Sequence, residues 1–358
     1  MKQTEAARSR PVAIWIMIGV IMLLIMVVLG GITRLTGSGL SITEWNVITK
    51  PLPPLNDQQW MEEFDKYRQT PQYQIINTHF TLSDFKFIFF WEWFHRFWGK
   101  LTGVAFLIPF IVFIYQKRIS REMIPSLAIL FLFGGVQAII GWIMVLSGLS
   151  GDAIYVAPTK LAFHFVFALG LISLVFWVGL KWLTPSKGMS RPGLRSLTLV
   201  IIVILFIQLI FGALMAGHRA ALAAPTWPSI NGSMMPDQIF KDRPVMLNFI
   251  ENTITIHFIH RGLAYVLFLL IIIWSVFAFK SAKTMGGLAK TSLIPLLLVC
   301  LQVVLGIFAL LKSPGIIPNK WGSFEWLALL HQVVGMLLLL SMVGMLYLLT
   351  PKYRTQQL

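Results

Sequence analysis

Residues 256–279 read IHFIHRGLAYVLFLLIIIWSVFAF. Two imidazoles, His257 and His260, and a cation, Arg261, open a run that is otherwise apolar. As a helix rising about 1.5 Å per residue, the part from 258 to 279 is long enough to cross ~30 Å of hydrocarbon. Ionisable groups in such a span are costly and usually functional. Seven more runs of this kind fall at roughly 12–31, 96–115, 124–146, 161–180, 198–216, 292–311 and 327–349. Of the 358 residues, 57% are hydrophobic and 12% charged, and the mean hydropathy is +0.77, far from a soluble domain. The expected fold is an all-α integral membrane protein of eight transmembrane helices embedded in a lipid bilayer.

The placement of charge sets the orientation. Basic residues crowd the short connections: Lys117, Arg118 and Arg121; Lys181, Lys187, Arg191 and Arg195; Lys280, Lys283 and Lys290; then Lys352 and Arg354. The long connections hold 12 of the 14 acidic residues when Glu92 is counted with the first of them. By the positive-inside rule the N and C termini and the short loops are cytoplasmic. The net charge of +15 is therefore a topology signal and points to no nucleic acid. Lys2, Arg8 and Arg10 precede the first run as they would in a signal peptide, but the run is too long for one and lacks a small-residue cleavage site. It reads as a span. The lone cysteine, Cys300, excludes a disulfide within the chain and reads as a small core residue.

The chain repeats itself. GGITRLTGSGLSITEW at 30–45 corresponds to GALMAGHRAALAAPTW at 212–227, with each tryptophan 15 residues after the glycine. A Pro-rich loop and a short polar-aromatic segment, around Trp60 and Phe240, follow each copy. Then come His95-Arg96 and His260-Arg261. Gln137-x-x-x-Gly141 and Gln302-x-x-x-Gly306 each lie 42 residues beyond those histidines, and Gln208-x-x-x-Gly212 is a third copy. Such motifs read as close helix packing with an interhelical hydrogen bond. The pattern predicts two parallel-repeat four-helix bundles, 1–184 and 185–358, related by an axis along the membrane normal. The first outer segment, 32–82, is too long for a plain connector. Asn56-Asp57-Gln58-Gln59 predicts a helix start, with Trp60, Phe64 and Tyr67 along one face. Thr81-x-x-Asp84 predicts a capping box that starts the second long helix beyond the membrane edge.

Four histidines carry the chemistry. His95 to His164 is 69 residues and His260 to His331 is 71, and each sits near the outer end of its span. A single such histidine is more often a hydrogen-bonded core residue. Four at duplicated positions suggest two sites, each clasping a flat macrocycle between two imidazoles. Zinc fits less well, since neither half has cysteine partners or a dense His/Glu cluster. Arg96 and Arg261 suit porphyrin propionates, or else a lipid phosphate. The repeat breaks at one place: Glu92-x-x-His95 becomes His257-x-x-His260. Residues three apart share a helix face, so Glu92 belongs with whatever His95 binds. His79 and His218 read as surface groups, and His257 as a structural residue beside the ligand or as an alternative ligand.

GGITRLTGSGLSITEW, the WEWFHR stretch around Glu92 and His95, IHFIHRGLAY from 256 to 265 and the two later histidines resemble the heme A synthase family over essentially the whole chain. The type most similar is that of α-proteobacteria and mitochondria, because the outer loop lacks the paired cysteines of the Bacillus branch. The resemblance implies an oxidoreductase of the inner membrane that converts the C8 methyl group of heme O to the formyl group of heme A, for cytochrome oxidase biogenesis. It implies that His260 and His331 hold the iron of a heme b cofactor. His95 and His164 would receive the substrate heme iron, with Glu92 catalytic beside them. Phe94, Phe97, Trp98, Phe163 and Phe165 would then line a groove for the substrate tail. Heme O synthase, the protoheme farnesyltransferase, is a partner whose docking the sequence leaves open, as it does a homo-oligomer. The alternatives are a dihaem electron-transfer cytochrome b, poorly served by two sites at one depth, and a heme-handling transporter, which gives no reason for the Glu92/His257 difference.

Overall fold

The structure, a computed structural model, describes residues 2–44, 52–183, 191–282, 291–316 and 321–351. Trp45, Lys187, Lys283, Lys290, Lys352 and Arg354 lie outside the described residues. Eight helices are long and apolar enough to cross a membrane, and no strand occurs among the described residues. They are α1 (Lys2–Leu35), α4 (Leu82–Tyr115), α5 (Ile124–Leu146), α6 (Pro158–Leu183), α7 (Pro192–Gly217), α8 (Thr253–Ala282), α9 (Leu293–Lys312) and α10 (Ser323–Leu349). Two shorter helices, α2 (Asp57–Arg68) and α3 (Pro71–Ile75), precede α4. The chain is a multi-pass membrane protein.

The inner helices are α1, α6, α7 and α10. α1 packs on α4, α6 and α10; α7 packs on α6, α8 and α10; and α5 and α9 flank α6 and α10. In the most apolar 18-residue stretch of α10 61% of the residues are buried, against 0% in that of α4, so α10 is central and the membrane-crossing part of α4 peripheral. Polar tips join the helices where water is absent. The indole N–H of Trp15 donates to the carbonyl of Ala105 at 2.9 Å, and that of Trp98 to Met22 at 2.9 Å. Trp274 donates to Thr198 Oγ1 at 2.8 Å, and Gln332 Nε2 to the Val27 carbonyl at 2.9 Å. Cys300 departs from expectation. It is exposed on the outside of α9 and so faces the apolar surroundings instead of the core.

The second span starts earlier than its apolar run. With 34 residues, α4 is about 51 Å long, some 20 Å more than the hydrocarbon needs. Its first turn is held by the expected capping box: Asp84 accepts from Thr81 N at 2.8 Å while Thr81 Oγ1 accepts from Asp84 N. Asn56 caps α2 by accepting from Gln59 N at 2.9 Å. α2 then buries Phe64 and Tyr67 on the outer part of α4, against Phe85, Ile88 and Phe89. The Tyr67 hydroxyl donates to Gln72 and accepts from Asn77 in that cluster, and burial pushes it up to about 12. Gln72 reaches onward to the Ile154 carbonyl. This cap fixes the chain that descends from α1 onto α4. The second long connection is built differently. The segment around Phe240 forms no α-helix; the connection is built of turns and two short 3-10 segments, Ala220–Leu222 and Val245–Phe249, the second of which holds the fully buried Asn248. The Asn248 amide accepts from Asp242 N and donates to the carbonyls of Asp242 and Val245, which takes the place of backbone pairing among prolines.

Candidate functional site

Between the helices lies a cavity of about 1230 Å³, above the ~300–1,000 Å³ of an ordinary small-molecule pocket. His95 from α4, His164 from α6, His260 from α8 and His331 from α10 all line it. Each ring rests against a glycine of a neighbouring helix. A Cβ added at Gly30 would lie 3.3 Å from His95 Nε2, and one at Gly212 would lie 3.1 Å from His260 Cε1. At Gly141 and Gly306 it would lie 2.8 Å from Cε1 of His164 and of His331, closer than real side chains approach. These glycines are required because an imidazole occupies the space a Cβ would fill.

Three of the four rings also meet a glutamine one turn before the glycine. Gln137 Nε2 lies 3.2 Å from His164 Nδ1, Gln208 Nε2 3.4 Å from His260 Nε2, and Gln302 Nε2 3.3 Å from His331 Nε2. His331 Nδ1 lies 3.0 Å from the Gln302 carbonyl, so it is the donor and Nε2 keeps its lone pair. The interhelical hydrogen bond expected of Gln-x-x-x-Gly thus goes to a candidate ligand. Its role in seating histidines was missed in the sequence, although three copies at i, i+4 were the signal. His95 differs: the residue four before Gly30 is Met26, and among the described residues neither ring nitrogen of His95 makes a hydrogen bond.

The donor set fits an iron porphyrin. The rings of His260 and His331 face one another with centroids 6.4 Å apart and planes 71° from parallel. Two metal–nitrogen bonds of about 2 Å, plus about 1 Å from each nitrogen to its ring centre, span about 6 Å. His260 Nδ1 and the Oε1 atoms of Gln137, Gln208 and Gln302 are buried without partners. Among the described residues no three His, Cys, Asp or Glu converge on one point. Two imidazoles are what a metal already held by four macrocycle nitrogens needs.

The outer turns close the cavity in two chemically opposite ways. Glu92, 2% exposed, accepts through Oε2 from Ser41 N at 2.7 Å, Ser41 Oγ at 2.7 Å and Ile42 N at 2.9 Å. Its Oε1 meets Arg96 Nη2 at 2.5 Å. His257, at the matching position, is fully buried and its Nε2 donates to the Ala220 carbonyl at 2.7 Å. Arg96 donates to the carbonyls of Ile42 and Glu44, and Arg261 to those of Ala224 and Ser229. Both guanidiniums tie down the outer loops, and both line the cavity. Of the five expected tail-lining aromatics only Phe165 lines the cavity. Phe94 stacks on Phe90 and meets Trp98 edge to face, Phe97 stacks on Trp93, and Phe163 is 60% exposed. His79 is exposed, whereas His218 is half-buried with Nε2 donating to the Ile250 carbonyl.

Comparison with known proteins bears on the whole chain. Residues 13–343 match the family COX15-CtaA, described as cytochrome oxidase assembly protein. A protein of Parvibaculum lavamentivorans named Heme A synthase is 45% identical over 283 residues, 77% of this chain and 80% of its own. Proteins of the same name from Rhodospirillum centenum and Methylobacterium radiotolerans are 38% and 41% identical, covering 99% and 93% of this chain and 92% and 88% of theirs.

Proposed function

We infer the activity from one premise: the chain belongs to the COX15-CtaA family of cytochrome oxidase assembly proteins. It is a heme A synthase of the inner membrane, with cytoplasmic termini, that oxidises the C8 methyl group of heme O to a formyl group. Residues 1–184 form the substrate half, in which His95 and His164 take the heme O iron. Residues 185–358 form the cofactor half, in which His260 and His331 hold heme b. When bound, heme b supplies a one-electron redox group beside the substrate.

The observation that supports this division is that one ligand of the first pair, His95, lacks the glutamine amide that His164, His260 and His331 all have. His260 and His331 each have a glycine behind the ring and a glutamine amide against it, which suits a group that stays. His95 has Gly30 behind its ring, but the position one turn before that glycine is Met26, which reaches Gly99, and among the described residues no amide bonds the ring; this suits a ligand that must release its iron at each turnover. Glu92 sits one turn before His95 on the same helix face. Its Oε1 has Arg96 as partner while Oε2 is held by the Ser41–Ile42 turn. Glu92 Oε1 is the atom placed to take a proton as the methyl group is oxidised, with Arg96 fixing its position. Arg96 and Arg261 act on the hemes by holding the loops above them. A homo-oligomer is compatible with the exposed α4, α5 and α9 faces.

Pigment analysis tests the reading. Purified protein should yield heme b with heme O or heme A, and Glu92→Gln should retain heme while forming no heme A. Zinc without heme, or normal heme A from the variant, would overturn it.

A further inference from the structure

Arg96 and Arg261 line the cavity and spend some of their donors on loop carbonyls, and the carboxylates of a porphyrin there have further cations within the lining. Two more arginines line the cavity, Arg34 at the last turn of α1 and Arg219 just after α7. Arg34 lies one turn outward of Gly30, the seat of His95. Its Nη2 crosses to the carbonyl of Ala216, which lies one turn outward of Gly212, the seat of His260. Arg219 stacks over the ring of Tyr155 at 3.8 Å, which leaves its in-plane N–H donors on the edge of the guanidinium. The two cations are near enough to repel one another, and among the described residues neither has an ion-pair partner. Of the five donors of the Arg34 guanidinium, one is engaged. Arg34 is half-buried and Arg219 exposed at the mouth of the cavity, so a carboxylate entering between them meets two positive charges.

The backbone makes the same point independently. Arg219 has φ +52°, the left-handed region that disfavours a side chain. Its counterpart in the repeat, Gly37, has φ +68° and is a glycine, as the turn prefers. The second half keeps a strained arginine where the first half relaxes to glycine, which is how a functional side chain is retained.

We propose that Arg34 and Arg219 form the carboxylate clamp that receives the propionates of the porphyrin in this cavity. The proposal rests on the reading that the cavity holds porphyrin.

The test is an absorbance titration of the full chain, purified in detergent from heme-starved cells, with iron protoporphyrin IX and with its dimethyl ester. The wild type binds the free acid about 10- to 100-fold more tightly, the range of a charge-assisted hydrogen bond. Arg34→Gln and Arg219→Gly lose that preference while binding the ester as the wild type does. Arg219→Gly preserves the turn, since glycine is the residue this conformation favours, so its result stands even if Arg34→Gln misfolds. Variants that keep the preference, or a wild type that binds both porphyrins equally, overturn the clamp. A wild type that binds neither overturns the porphyrin reading itself. Variants whose only change is weaker retention of phosphatidylglycerol assign the pair to lipid headgroups and also overturn it.

Discussion

Gly306→Ala isolates the seat behind His331 from every other property of α9. In an ordinary helix interior the change is favourable by up to about 1 kcal/mol, so helix propensity predicts no loss. The structure predicts one. The new Cβ would stand 2.8 Å from His331 Cε1, so the ring must retreat by at least about 0.6 Å to reach the 3.4 Å at which ordinary contact begins. The same retreat disturbs the 3.0 Å bond between His331 Nδ1 and the Gln302 carbonyl. Ligand–metal distances tolerate only about 0.2 Å. A ligand so displaced lengthens or loses its bond to iron, with a cost of about 10- to 100-fold in heme affinity, the usual effect of disturbing the groups that orient a ligand. The assay is the absorbance spectrum and heme content of the purified variant, which should show loss of the low-spin six-coordinate form. Gly262→Ala is the control: it lies on α8 beside His260, yet a Cβ there meets nothing within 4 Å. A Gly306→Ala protein with the spectrum and heme content of the wild type would refute the argument that the glycine exists to seat the imidazole.

The other predictions concern the first half and the outer face. Met26→Gln should give His95 the amide its three counterparts have and slow transfer of bound heme O to an acceptor protein about 2- to 10-fold; an unchanged rate would remove Met26 from the account of substrate exchange. Glu92→Ala should abolish heme A formation and also lower stability by about 1–3 kcal/mol, because it strands the amides of Ser41 and Ile42. Glu92→Gln should abolish heme A with a smaller loss, and thermal unfolding of the two variants separates the roles. Cys300→Ser should leave heme A formation intact and stability within about 0.5 kcal/mol, as expected of a side chain exposed on the outside of α9; loss of activity would show the thiol to be more than a surface group.

What the sequence determined by itself was everything governed by local pattern. The eight spans follow from apolar runs of sufficient length, and the starts of α2 and α4 follow from Asn56 and from the Thr81–Asp84 box, whose bonds close within one turn. His95, His164, His260 and His331 stood out because an imidazole in an apolar run is improbable without a task, and the structure brings all four to one cavity. The tertiary structure alone decided where the polar side chains point. Gln137, Gln208 and Gln302 meet histidines 27, 52 and 29 residues away, and no window of sequence as short as a motif contains both partners. The long side chains of Arg96 and Arg261 have loop carbonyls and a cavity mouth both within reach, so only the path of the outer loops settles which they bind. Cys300 shows the same limit from the other side: in a helix that is apolar all round, periodicity carries no sign of which face meets lipid and which meets protein. The fold is written in composition and spacing because bilayer crossing is a local demand, whereas the site depends on the packing of helices far apart in the chain.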